Sequence, residues 1–210
     1  MALIDTVERE LAGRLLLTHP FYRRWEAGEL RDGELAAYGA QYAHVERQLP
    51  ATLAAIADGL EPGDIRTLVE ANLDDELHRP CAHVDLLAGF LDAVGATDAP
   101  STPATAALVE LYRSAHTEGA AFALGVVSAY ELQAAAVARS KAEGLRAHYG
   151  LDADGTRFWD VHAGLEDDHA TWTLAAAASL DADEVRRGVG ASRDAWWSFL
   201  DEREALAPAS

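Results

Sequence analysis

Residues 158–172 read FWDVHAGLEDDHATW, and within them His162, Glu166 and His169 stand at i, i+4 and i+7. On an α-helix that spacing puts all three on one stripe. Two imidazoles and a carboxylate on a stripe can converge on one metal ion. Phe158, Trp159, Leu165 and Trp172 flank the stripe and turn it toward a core, where an unpaired carboxylate is costly. The bland alternative is a solvated acidic helix with two incidental histidines.

Two further segments add similar groups. In NLDDELHRPCAHVDLL, Glu76 and His83 are two helical turns apart, but Pro80 lies between them. Either a helix kinks there, or one helix ends and another begins with Pro80 in its first turn. In GVVSAYELQAAAVARSKAEGLRAHYG, Glu131 is the one acid between Glu118 and Glu143, set among Val126, Val127, Ala129 and Leu132. A carboxylate in such a helix needs an arginine, a hydrogen-bond network or a metal. Arg139, two turns on, is the structural candidate. Tyr130 precedes Glu131. Lys141 follows ten residues later, roughly 80° round the helix and nearly three turns away. It is the chain's one lysine, the other 16 of 17 basic residues being arginine, a skew that GC-rich coding alone can produce. Together Glu76, His83, Glu131, His162, Glu166 and His169 form a plausible shell for two metal ions, as helical bundles build from inward-facing Glu and His. Mixed oxygen and nitrogen donors without thiolate suit iron or manganese better than structural zinc.

The elements that must position these groups are helices. Ala, Leu, Glu and Arg dominate, and no alternating β-branched run is bounded by turns. The breakers predict helices near 3–17, 20–28, 33–58, 65–79, 81–94, 102–117, 119–149, 156–179 and 182–206. Asp32, Asp64, Ser101 and Asp181 fall where N-caps belong, and Gly59, Gly95 and Gly150 where helices end. Pro50 is expected to kink the third helix. Residues 1–206 read as a single all-α domain, with 207–210 a disordered tail. The chain has 210 residues, 50% of them hydrophobic, and a net charge of −18. That is apolar enough for one core, and the charge repels phosphate backbones and anionic membranes. No nucleic-acid or membrane partner is expected. One cysteine excludes an internal disulfide. The start lacks a signal-peptide pattern and no run of 18 apolar residues occurs, so a cytoplasmic location is expected.

The ordered set HPFYRRWEAGEL, NLDDE, GVVSAYELQ, ARSKAEGLRAHYGL and FWDVHAGLEDDH resembles the heme-oxygenase-like dimetal oxidases, whose superfamily includes the PqqC and TenA folds. The resemblance runs from about Leu15 to Leu180. Within it the chain is most similar to the CADD-like family, whose members look like 4-aminobenzoate synthases serving folate synthesis. It implies a heme-oxygenase-like helical bundle of about seven to nine helices. The family's ligand order is Glu-x6-His, a lone Glu, then His-x3-Asp-x2-His. Glu76 and His83 correspond to the first pair, Glu131 to the lone Glu, and His162 and His169 to the outer histidines. Glu166 stands where the family has Asp, so its extra methylene changes how it can reach a metal. The resemblance further implies self-sacrificing chemistry, in which a tyrosine supplies the ring and a lysine the amino group. Tyr22, Tyr38 and Tyr130 correspond to the family's tyrosines, with Tyr22 the first choice as ring donor, and Lys141 to its lysine.

The function so implied is an O2-activating oxidase with two iron ions, or an iron–manganese pair, and an external reductant. It would act on its own side chains or on a small-molecule substrate, within a homodimer. Relatives in the superfamily leave two other enzymes open. One is an oxidase or N-oxygenase acting on an external amino-acid or fatty-acid substrate. The other is a metal-free PqqC-like or TenA-like enzyme using His19, His44, Tyr42 and Arg23, or Cys81. A non-enzymatic interaction module is the remaining alternative.

Overall fold

The computed structural model describes residues 3–78 and 81–206, apart from the side chains of residues 3 and 165–170. Among these residues every regular element is a helix. The helices are α1 (Leu3–Leu11), α2 (Pro20–Ala27), α3 (Glu34–Asp58), α4 (Asp64–His78), α5 (His83–Ala93), α6 (Pro103–Ser114), α7 (Ala120–His148), α8 (Ala153–Ala177) and α9 (Ala182–Ala205). Two 3-10 turns, Leu16–Thr18 and Ala115–Glu118, bring the helical segments above the expected seven to nine. The tail 207–210 lies outside the described residues.

Local chemistry sets the boundaries. The predicted first helix stops at Leu11 and the chain resumes as a 3-10 turn at Leu16. His19 then caps α2, its Nδ1 accepting from the Phe21 amide at 3.1 Å, with Pro20 in the first helical position. Asp181 caps α9 through the amides of Asp183 and Glu184, as its side chain predicts. The other expected caps shift. Gly33, at φ 84°, replaces Asp32, and Thr102 replaces Ser101. Asp64 is the first residue of α4 rather than its cap. Asp152 caps α8 through the Gly155 amide, three residues earlier than periodicity placed its start. Pro50 does not end α3.

α7 is the central element and packs along both α8 and α9. By length and composition it could cross a membrane, but 61% of its most apolar window is buried within the bundle. Its buried residues include both Glu131 and Lys141. The contact with α9 depends on two glycines. A Cβ on Gly125 would lie 2.1 Å from the Val185 carbonyl oxygen, and one on Gly188 would lie 2.1 Å from that of Phe122. The backbones meet where a methyl group does not fit.

Gly125→Ala or Gly188→Ala therefore forces α7 and α9 apart and should cost about 1–3 kcal/mol in urea unfolding. Gly89→Ala, at a helical glycine with no heavy atom within 4 Å, should instead stabilise by up to about 1 kcal/mol. Equal effects at both kinds of site would contradict close backbone packing as the cause.

Candidate metal centre and lysine cage

The sequence brings Glu76 and His83 together by breaking the helix between them. α4 ends at His78 and α5 begins at His83; residues 79–80, including Pro80, lie outside the described residues. Glu76 Oε2 sits 2.9 Å from His83 Nδ1, and both side chains are buried. The His83 ring lies 4.5 Å from that of His162 on α8. His162 Nδ1 donates to the Phe158 carbonyl at 2.7 Å, because a carbonyl can only accept. In the neutral imidazole the other nitrogen, Nε2, is the one whose lone pair can bind a metal.

That nitrogen faces a residue the sequence analysis missed. Glu46 Oε1, on α3, is 3.5 Å from His162 Nε2. It is buried and accepts no hydrogen bond among the described residues. Burial pushes the Glu46 carboxyl up, but the neighbouring His162 imidazole, with His83 and Tyr42 adding to it, holds it below its ordinary value. Glu46, His83 and His162 offer ligand atoms that all lie within 4.8 Å of one another. An orphaned buried carboxylate oxygen aimed at an imidazole lone pair fits a divalent cation, and the donor set, without thiolate, fits iron. The signal for Glu46 was present in AAYGAQYAHVERQ: Tyr38, Tyr42 and Glu46 recur every four residues on one face of α3.

Glu131 lies on the adjoining wall. Its Oε1 accepts from Asn72 Nδ2 at 2.7 Å and its Oε2 from the Thr173 hydroxyl. These, not Arg139, are its partners; Arg139 is exposed and reaches the Ala163 carbonyl. Burial raises the Glu131 carboxyl to about 8, with those two hydrogen bonds opposing the rise and the charge of Glu76 adding to it. A small cavity lined by Glu46, Glu131, Tyr42, Tyr130, Tyr112 and Trp196 connects this wall to α3. Glu166 and His169 fall on α8, but their side chains lie outside the described residues.

Lys141 stands apart from the carboxylates, in an aromatic cage. It is 1% exposed. Its Nζ donates to the Tyr38 hydroxyl at 2.6 Å and lies 3.9 Å from the Trp159 ring centre. The ring centres of Tyr42, Tyr22 and Tyr38 follow at 4.7, 4.9 and 4.9 Å. Tyr22 and Tyr38 share a hydrogen bond of 2.8 Å. Desolvation carries the Lys141 amine well below its ordinary value, offset only in part by Glu46. Tyr130 is not in the cage; it bonds Tyr42 at 3.1 Å and stacks on Trp196 at 4.4 Å. Of the residues considered for a metal-free site, Tyr42 alone lines the cage. His19 caps α2 and meets Asp201, His44 bonds the Ala99 carbonyl, Arg23 reaches the Thr18 carbonyl, and Cys81 is half-buried between α4 and α5.

A family model described as iron-containing redox enzyme matches residues 36–200. The chain belongs to that family of iron-containing redox enzymes. The enzyme is 32% identical to a 4-aminobenzoate synthase of Nitrosomonas europaea, over 93% of this chain and 88% of that one. It is 27% identical to a 4-aminobenzoate synthase of Chlamydia pneumoniae, over 94% and 92%. Its fold is shared with a CADD-like protein of unknown function from Nostoc punctiforme (TM-score 0.80, 17% identity, 99% and 97% covered). It is shared equally with a TenA homologue from P. horikoshii (TM-score 0.78, 15% identity, 97% and 98% covered).

The raised carboxyl of Glu131 has a consequence for the metal-free enzyme. The unfolded chain releases this proton near 4.5, whereas the folded chain holds it to about 8. Its contribution to stability is complete below 4.5 and is lost as pH rises through 8. Urea midpoints of the metal-free protein should fall between pH 5 and pH 8, and Glu131→Gln should flatten that fall. An unchanged slope in the variant would remove Glu131 as its source.

Proposed function

We propose that this enzyme is an O2-activating dimetal oxidase that makes 4-aminobenzoate from its own side chains, Tyr22 giving the ring and Lys141 the amino group. The observation that carries this reading is the chain's single lysine, fully buried among tyrosines, with Tyr42 between it and the carboxylate–histidine cluster. A surface lysine, the default for a rare residue, would not be held there: burying an amine without a carboxylate partner is unfavourable. The named activity of full-length relatives at 27–32% identity supports it.

Two metal ions would be held by Glu76, His83, Glu131, His162, Glu166 and His169, with Glu46 completing the set. Bound iron, or iron with manganese, supplies O2 reduction and the oxidising power, with the remaining electrons drawn from an external reductant. Four carboxylates balance the four positive charges of two divalent ions, which a buried centre requires. Without a metal, Glu131 keeps its proton; a cation beside it would favour the carboxylate.

The chain's own residues do the rest. Desolvation keeps the Lys141 amine neutral, the form with a lone pair to donate. The Tyr38 hydroxyl fixes that nitrogen at 2.6 Å and also holds the Tyr22 hydroxyl, so amine and donor ring are aligned through one group. Trp25, Trp159 and Phe21 close the cage against water. Tyr42 lies between the cage and Glu46, hydrogen-bonded to Tyr130 and stacked on Tyr38 at 5.6 Å. The same reading makes this a cytoplasmic enzyme of folate synthesis.

Anaerobic loading with Fe(II), desalting and elemental analysis should give about two metal ions per chain. An O2 pulse with reductant should then release 4-aminobenzoate, seen by mass spectrometry together with a matching change at Tyr22 or Lys141 in the protein. Lys141→Arg and Tyr22→Phe should keep the metal and lose the product. Glu46→Gln should weaken Co(II) binding, read by its visible absorption, by about tenfold or more. Iron near zero in a folded protein would sink the dimetal centre; product from the Lys141 variant would sink the self-sacrificing route.

A further inference from the structure

Glu131 is held from two neighbouring helices by residues that extend the ligand faces of those helices. Asn72 stands one turn before Glu76 on α4. Thr173 stands one turn after His169 on α8 and so continues the stripe of His162, Glu166 and His169. Both side chains are buried. Asn72 Nδ2 donates to Glu131 Oε1 at 2.7 Å and to the Thr173 hydroxyl oxygen at 3.4 Å. The Thr173 hydroxyl donates in turn to Glu131 Oε2. One side chain each from α4, α7 and α8 thus closes a ring of hydrogen bonds.

Neither donor is explained by its own packing. Asn72 is 1% exposed, and its Oδ1 has no hydrogen-bond partner among the described residues. A buried amide carbonyl left unpaired is costly, and an apolar side chain in its place would avoid that cost. What the amide supplies in return is its two N–H groups, one on Glu131 and one on Thr173. A threonine inside a helix commonly turns its hydroxyl back to the carbonyl four residues earlier, but Thr173 gives its proton to the Glu131 carboxylate. Glu46 is the contrast. Its Oε1 accepts no hydrogen bond among the described residues, whereas both oxygens of Glu131 are tied without a metal.

We propose that Asn72 and Thr173 are positioning residues of the metal centre, which together fix the Glu131 carboxylate as a preset ligand. A free glutamate side chain loses rotamer freedom when a cation orders it. The ring has ordered Glu131 already, so that loss does not weigh against metal binding. An ionised carboxylate offers about four lone-pair sites, of which the ring uses two, so each oxygen can still meet a cation. The inference rests on Glu131 serving as a ligand in the proposed centre.

The test is titration of the metal-free, full-length chain with Co(II), followed by visible absorption. The wild-type chain should bind about two ions. Thr173→Val, which keeps the branched shape and removes the hydroxyl, should weaken one of them by about tenfold or more. Thr173→Ser, which keeps the hydroxyl and removes a methyl group, should bind as the wild type does. Asn72→Ala should weaken the same ion as Thr173→Val. In a Glu131→Ala chain, which has lost the ligand, Thr173→Val should have no further effect. Circular dichroism checks that each variant is folded, and the serine and Asn72 variants decide the matter if the valine variant is not. Equal weakening by valine and serine would make packing the cause and overturn the proposal. Unchanged binding in Thr173→Val and Asn72→Ala, or a valine effect that persists without Glu131, would overturn it too, while two ions in the wild type leave the dimetal centre standing. A folded wild-type chain that takes up no Co(II) would overturn the centre and the positioning role together.

Discussion

The structure turns on one constraint: a helical core that buries ionisable groups must give each of them a partner or hold it neutral. Glu46 carries the largest share of that demand. It faces His162 and His83 on one side and the tyrosines on the other, and its charge is the one that favours a protonated Lys141. Burial opposes charge on both Glu46 and Lys141, but with different results. The carboxyl finds imidazoles and stays ionised, whereas the amine finds only rings and a phenol and is driven toward its neutral form. The same low-dielectric interior therefore produces a metal-binding anion and a free amine within one bundle.

Helix geometry keeps these two chemistries separate yet adjacent. Glu131 and Lys141 both lie on α7, ten residues or about 15 Å apart along its axis. Glu131 meets Asn72 of α4 and Thr173 of α8; Lys141 meets Tyr38 of α3 and the rings of α2. α3 spans the gap. Its stripe Tyr38, Tyr42, Glu46 places one hydroxyl on the amine, one ring in the middle and one carboxylate on the histidines. α7 can run that deep because Gly125 and Gly188 let α9 approach to backbone contact.

Much of this was legible in the residues, for reasons that differ by element. The long helices were readable because their apolar periodicity and end signals agree, as at Asp181. Caps at Asp32 and Ser101 were misplaced by one residue because Gly and Thr can start a helix as well as Asp and Ser. The pairing of Glu76 with His83 looked obstructed by periodicity, since the pair is joined by tertiary packing of two helices rather than by one helical face. Glu46 was missed because its stripe mixes tyrosines with a single acid, a pattern that composition does not distinguish from an ordinary amphipathic face. Arg139 looked like the partner of Glu131 by spacing, but two turns on an α-helix do not make two side chains converge when one faces solvent.

The cage shows how an aromatic layer can hold an amine out of water. Phe21 and Phe199 pack on Tyr38 from the outside, while Lys141 and Tyr22 meet it from within. Their rings give the cage its dryness, which is what suppresses charge on the lysine. A substitution at Phe21 or Phe199 therefore acts on Lys141 through Tyr38, because any gap in the layer admits water to the amine and lets it take up charge.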